Sequence, residues 1–369
     1  MSVSIPIPIA TGQDFYVPRF EVKVGARKLD REAIHDITRV SYHDSLDEID
    51  GFEITINNWD AENRTFKYAG GDLFDPGKRV ELSMGYHGAT PLRKMITGEI
   101  TSLDPDFPAA GQPTLTIRGL NLLHTLRKKQ ESHAYTQVKD SDVAQTIASR
   151  LGVTVTTPAS ASENQHEYLF QDNKYDIVFL LERARRIGYD LYVTEPDGGG
   201  DPELYFGPSE RVRQITQELA YGRSLIGFNP TLSTAKQVAK VTVRGWDNLA
   251  KKKIEATVER SDLSTTRFGG GSEDPGSSFA DREEVITNRP VNSEAEARTL
   301  ALETLERIAK DMVTGSGSTV GVPDLVAGTA IDVGGVTDRF SGRYFVTSTT
   351  HAIGESGYTT EFDCRREEL

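Results

Sequence analysis

The amino-acid sequence predicts a mainly β protein with an α/β insertion: two related antiparallel β-barrel domains plus a small α/β domain. Three observations lead there. Apolar residues recur with period two over the first third of the chain and again at its end. Helical periodicity is confined to three segments between those regions. Two β segments, far apart in the chain, repeat one pattern.

Phe20, Val22 and Val24 alternate with Glu21 and Lys23, as Phe52, Ile54 and Ile56 do with Glu53 and Thr55. Val80, Leu82 and Met84 flank Glu81 and Ser83, and Leu115 and Ile117 sit among Thr114, Thr116 and Arg118. Successive strand side chains point to opposite faces, so such runs cover a core on one face and meet water on the other. Asp75-Pro76-Gly77, His87-Gly88, Asp104-Pro105 and Gly111-Gln112-Pro113 supply turns. Short strands with regular turns read as a barrel or sandwich over residues 15–121, after an N-terminal arm at 1–14.

The period changes after residue 121. Asp140-Ser141-Asp142 offer N-cap oxygens to a helix through Arg150, with Val143, Ile147 and Leu151 as its apolar stripe and Gly152 as its left-handed stop. A second helix is predicted from Tyr175 to Arg186, capped by Asp172 or Asn173 and ended by Gly188. Strands at Tyr189 to Val193 and Leu204 to Phe206 complete an α/β domain over 122–234. Gln237 to Trp246 and Ile254 to Val258 are β again, and residues 235–262 and 318–369 are assigned to the second barrel. Residues 263–317 are predicted as an insertion: a flexible Gly/Ser/Asp-rich loop, then a helix from Ser293 to Met312. Ser293 and Glu296 form its capping box, and the Gly/Ser run Thr314 to Thr319 ends it.

The internal repeat is local but ordered. Gly77, then Val80-Glu81-Leu82, Ile100-Thr101-Ser102 and Leu115-Thr116-Ile117-Arg118 match Gly328, Ile331-Asp332-Val333, Val346-Thr347-Ser348 and Phe362-Asp363-Cys364-Arg365. A chain with two copies of one barrel can form a trimer that is a pseudo-hexameric ring, since closed rotational symmetry satisfies identical interfaces. Such a ring could bridge a threefold object to a sixfold one.

Several function classes are disfavoured. A net charge of −13 argues against binding nucleic acid through phosphates, so the basic runs Arg127-Lys128-Lys129 and Lys251-Lys252-Lys253 are read as a solvated helix end and strand edge. The single cysteine, Cys364, allows no internal disulfide and suits a reducing cytosol. The first ten residues hold no Lys or Arg and are broken by Pro6 and Pro8, unlike a signal peptide, and no apolar run could span a bilayer, so no membrane insertion is expected. The seven histidines are scattered; His351 reads as a half-buried polar residue. Asp44, Asp47 and Asp50 before Gly51 have the wrong spacing for a calcium loop. Gly269-Gly270-Gly271 lacks the Lys of a phosphate loop, and Trp246 reads as core packing. No catalytic, cofactor-binding or metal-binding residue is assigned, and no enzyme activity is predicted. The alternatives are a cell-wall-degrading hydrolase, requiring spatially paired carboxylates, and a glycan-binding module, requiring exposed aromatic clusters that the sequence does not display.

One family gathers these features. The chain resembles the phage late-control D proteins, baseplate hub proteins of contractile tails related to the N-terminal part of VgrG and to hubs of extracellular contractile injection systems. The resemblance rests on Gly77 to Gly85, Gly98 to Ser102, Gly111 to Gly119, Gln171-Asp172-Asn173, Phe179-Leu180, Gly188-Tyr189, Leu204 to Pro208, Phe228 to Ala235, Val241 to Asp247, and Gly342 to Ser348 with His351 and Gly357-Tyr358. It implies a homotrimer in the baseplate, a hexameric inner tube protein on one face and a trimeric spike on the other, other baseplate proteins around it, and no catalytic residues. VgrG-type relatives continue into a needle. This sequence ends at Leu369, so a separate spike protein is expected to bind it. Manufacture in a bacterial cytoplasm and incorporation into a particle follow from the same resemblance. The acidic balance further suggests a carboxylate-lined lumen that repels acidic cargo.

Overall fold

The computed structural model describes residues 7–8, 17–25, 27–46, 48–88, 92–158, 163–195, 201–208, 215–247, 250–263, 278–291 and 293–366. Of the arm at 1–14, only 7–8 fall within them. The loop at 264–277, with Gly269-Gly270-Gly271, lies outside the described residues, as does Asp47.

The first β array contains β1 (Pro18–Val24), β2 (Ile37–Ser45), β3 (Gly51–Asn57), β4 (Arg79–Tyr86), β5 (Arg93–Asp106) and β6 (Thr114–Asn121), in the order β1-β4-β5-β6-β3-β2. β1, β3, β4 and β6 follow the period-two expectation, whereas β5 buries four successive residues, Met95 to Gly98. Phe52, Ile54 and Ile56 of β3 point into one core with Val22, Leu82, Ile100 and Ile117, while Glu53 and Thr55 face out. The helical turn α1 (Arg31–Asp36), capped by Asp30 accepting from the Ala33 N–H, feeds β2.

The α/β part has β7 (Gln130–Val138) paired with β8 (His166–Tyr175), α2 (Asp140–Leu151), α3 (Asp176–Arg186), and the antiparallel pair β9 (Tyr189–Thr194) and β10 (Glu203–Pro208). Val143, Ile147, Leu180 and Phe206 share its core. Gly152 ends α2 at φ 69°, as expected. The caps differ from expectation. Asp172 and Asn173 do not cap α3, because β8 stays paired with β7 as far as Tyr175, and Tyr175 takes the cap position with no side-chain bond.

Beyond it come β11 (Ile215–Ala220), β12 (Leu225–Leu232), β13 (Lys240–Asp247), β14 (Lys252–Glu259), β15 (Glu283–Ile286), α4 (Glu294–Lys310), β16 (Val313–Val320), β17 (Ala330–Gly334), β18 (Gly342–Gly354) and β19 (Gly357–Arg366). Ser293 caps α4 by accepting from the Glu296 N–H. Here the strand assignment from sequence is corrected. β13 and β14, placed in the second barrel with residues 235–262, form a separate three-stranded sheet with β15 that packs on α4 through Val241, Val243, Val258, Leu300 and Leu305. Their place is taken by β12, assigned from sequence to the α/β part, and by β16, read as a helix-ending Gly/Ser run. β16 carries small residues because its neighbours fill the space. A Cβ on Gly317 would sit 2.4 Å from the Phe362 ring, and one on Gly315 would sit 3.0 Å from Phe228.

The second array runs β17-β18-β19-β16-β12, with β11 parallel to β17. It duplicates β4-β5-β6-β3-β2 strand for strand. Gly77 at φ 89° donates to the Ile100 carbonyl at 2.8 Å, and the Ile100 N–H returns to Lys78 at 2.9 Å. Gly328 at φ 84° donates to Val346, and Val346 returns to Thr329, both at 2.9 Å. A bulge at Thr101 in β5 has its twin at Thr347 in β18, and one at Thr38 in β2 has its twin at Ile226 in β12. The registers correct the sequence alignment of the last strand: Arg118 corresponds to Asp363, not to Arg365. A two-residue slip leaves every side chain on its proper face, so alternation alone does not detect it.

Candidate functional site

The two arrays are one sheet. β2, the last strand of the first copy, pairs antiparallel with β18 of the second, Ser45 opposite Ser348 through Val40 opposite Ile353. Thus β18 holds β17 and β2 end to end along one edge and β19 along the other. The first array's core includes Ile353 and Tyr358 from the second, so the two copies share apolar packing across this seam.

Polar groups under the seam are paired across it. The Asp44 carboxylate of β2 accepts from the Ala327 N–H at 2.8 Å, one residue before the turn at Gly328. Asp50 accepts from the Ser45 N–H at 3.1 Å and from the Asn121 amide at 2.6 Å. Burial, with the adjacent Asp44 carboxylate, pushes the Asp50 carboxyl well above its ordinary range. Tyr86 of β4 donates to the Gly321 carbonyl at 2.8 Å, and its ring lies 5.4 Å from that of Tyr358.

His351 sits in the middle of the seam and is fully buried, correcting the half-buried expectation. Its ring meets Tyr358 Oη at 3.0 Å, Thr360 Oγ1 at 3.1 Å and the Leu325 carbonyl at 2.9 Å, and it stacks on Tyr42 of the first copy. Burial lowers its pKa to about 3, against 6.5 when exposed. Between these values only the unfolded chain binds the proton, so the stability His351 supplies is complete above pH 6.5 and declines as pH falls. Urea unfolding at pH 5 is expected to show about 2 kcal/mol less stability than at pH 7 from this group. His351→Gln should remove that part of the pH slope.

On the outward face, β2, β18, β19, β16 and β12 form a shallow groove of about 290 Å³ lined by His43, Asn229, Ser316, Thr350, Glu361 and Asp363. Its hydroxyls are not set up as nucleophiles. Ser348 donates to Asp363 at 2.9 Å, and the His43 ring bonds Thr350 Oγ1 at 3.1 Å, with no base–nucleophile–acid chain among them. The matching face of the first copy carries Arg118 between Glu53 and Asp104.

Other expectations resolve simply. Lys252 and Lys253 lie exposed on the β14 edge, and Lys128 and Lys129 are exposed after a short 3₁₀ turn. Trp246, read as core, is 55% exposed at the end of β13. The fold also builds an aromatic cluster that sequence reading missed. Phe66 meets Trp59 at 5.4 Å and Phe107 at 4.9 Å, all edge to face, and Phe66 and Phe107 are exposed. These residues are scattered in sequence, so only the fold brings them together. Among the described residues no helix is long and apolar enough to cross a membrane.

This duplicated sheet is the fold of phage tail and type VI secretion proteins. The chain matches the 43 kDa tail protein of prophage MuSo2 from Shewanella oneidensis at TM-score 0.71 and 15% identity, covering 95% of this chain and 98% of that one. It matches a tail protein from Neisseria meningitidis at TM-score 0.68 and 14% identity, covering 95% and 97%. An E. coli component of the type VI secretion system, itself described as structurally similar to T4 bacteriophage tail proteins, matches at TM-score 0.59 and 12% identity over 93% of this chain and 76% of that one. The chain belongs to the family described as Alg8 N-terminal domain, whose model matches residues 15–355. No curated protein matches it in sequence.

Proposed function

We propose that this protein is a structural baseplate hub of a contractile injection machine, a homotrimer that adapts a hexameric inner tube to a separate trimeric spike. The observation that carries the reading is the in-register duplication of five strands with two shared bulges. Two equivalent arrays per chain let three chains present six equivalent positions. In this reading residues 15–121 are the first ring unit, β12 with β16 to β19 and β11 the second, the α/β part and the β13–β15/α4 lobe are peripheral attachments, and 1–14 is an arm. The outward face, with Glu53, Asp104, Glu361 and Asp363, is assigned to an acidic lumen. The protein works by position and carries out no reaction.

Native mass spectrometry and electron microscopy of the purified chain, alone and with its tube and spike partners, test this. Trimeric rings are expected. A chain that stays monomeric with both partners present overturns the reading. A glycan-binding module is the second reading, favoured by the exposed Trp59–Phe66–Phe107 cluster. Those rings pack edge to face and offer no flat platform, and a glycan array without binding disposes of it.

A further inference from the structure

The internal seam predicts an external one. In the first copy, the stretch from Ser102 to Phe107, the end of β5 and the residue after it, corresponds to β18 from Ser348 to Ile353, the stretch that receives β2. Within the described residues that edge of β5 has no strand beside it. In the second copy β12 corresponds to β2, and among the described residues its outer edge has no strand beside it either. Long open edges invite another strand.

We infer that the β12 edge of one chain adds to the β5 edge of a second copy in the register of the internal seam, and that a pair of facing prolines keeps this contact weaker than the internal one. The inference rests on the ring reading above and specifies its contact. Transferring the register puts Leu232 opposite Leu103, Thr231 opposite Asp104, Pro230 opposite Pro105, Asn229 opposite Asp106 and Phe228 opposite Phe107. Each match suits its chemistry. Two apolar pairs flank the contact, and Thr231 can donate to the Asp104 carboxylate where Thr350 and His43 bond internally. The exposed Phe107 gains a second aromatic partner beside Phe66.

The prolines decide the strength. Leu46 donates to the Thr347 carbonyl in the seam, which makes Tyr42 and His351 a hydrogen-bonded pair two steps along. Pro230 and Pro105 occupy those two positions in the external contact, and neither has an N–H. Both face open edges, where proline is tolerated within a sheet. The external seam therefore lacks two ladder bonds that the internal one has, so isolated chains associate loosely and join firmly only where other contacts hold them together.

Asp104→Cys with Thr231→Cys tests the register, because a non-hydrogen-bonded antiparallel pair brings Cα atoms to about 4.5 Å, within disulfide reach. Native Cys364 is buried and does not interfere. Mild oxidation should give covalent trimers closed between chains, whereas Asp104→Cys with Asn229→Cys, displaced by two residues, should not. Pro105→Thr with Pro230→Thr should tighten self-association by about tenfold or more, since each added net hydrogen bond is worth about twofold to tenfold. Trimers by mass that resist cross-linking in register would overturn the pairing and leave the ring reading standing. A proline-free variant that remains monomeric at all concentrations would overturn both. Cross-linking in register with association unchanged by the proline substitutions would remove the weakening role.

Discussion

Gly321→Ala is expected to cost about 3 kcal/mol, combining overpacking with loss of hydrogen bonds at the seam. Gly321 lies just after β16, and a Cβ there would sit 2.0 Å from Cγ of Tyr358, inside its ring. Tyr358 is buried against Tyr86, and the Gly321 N–H donates to its carbonyl at 2.8 Å. Moving that ring disturbs His351, which bonds the Tyr358 hydroxyl, and the Tyr86 bond to Gly321 from the first copy. One methyl group thus loosens the junction from both sides. Gly334→Ala is the matched control: its Cβ would meet nothing within 4 Å, and its effect should stay within about 0.5 kcal/mol. Urea titration of both variants checks this, and equal midpoints would refute the packing account.

Asp140→Ala is expected to destabilise the α/β part by roughly 3–5 kcal/mol, the range for stranding a buried charge. Asp140 opens α2 and is almost fully buried. Arg183 of α3 binds it through Nε at 2.5 Å and Nη2 at 3.1 Å, and His166 of β8 meets it at 2.9 Å. Burial alone would raise the Asp140 pKa, but the bonds from His166 and Arg183 win and hold it below the ordinary value. The stability it supplies is therefore present above the unfolded carboxyl pKa of about 4 and is lost as pH falls through the lower folded value. Hydrogen exchange of α2 and α3 is expected to rise in the variant at neutral pH. Unchanged protection there would show that Arg183 finds another partner.

Much of the strand pattern was legible because one face of each array is buried, so Phe52, Ile54 and Ile56 alternate cleanly with polar residues. The turn glycines Gly77 and Gly328, with Ile100-Thr101-Ser102 and Val346-Thr347-Ser348, were enough to find the duplication. What alternation reports is which face is covered, and it says nothing of the neighbouring strand. That is why β13 and β14 were read into the wrong sheet. β16 was missed because its role is to make room: Gly315 and Gly317 accept aromatic rings from Phe228 and Phe362, and an absent side chain leaves no periodic signal. The seam was invisible for a related reason. Its central contacts join residues as distant as His43 and Thr350, and Trp59, Phe66 and Phe107 become neighbours only once their strands are placed.

The long span between β2 and β18 bears on how the polypeptide is made. A ribosome working at roughly 5–20 residues per second needs on the order of half a minute to deliver the C-terminal strand after β2 has emerged. Through that interval the nascent chain carries an uncovered edge and an incomplete core lacking Ile353 and Tyr358. Synthesis therefore passes through a vulnerable stage that closes only with the last strands. Truncated or stalled products should be more prone than the finished chain to sticking to one another and to recruiting chaperones.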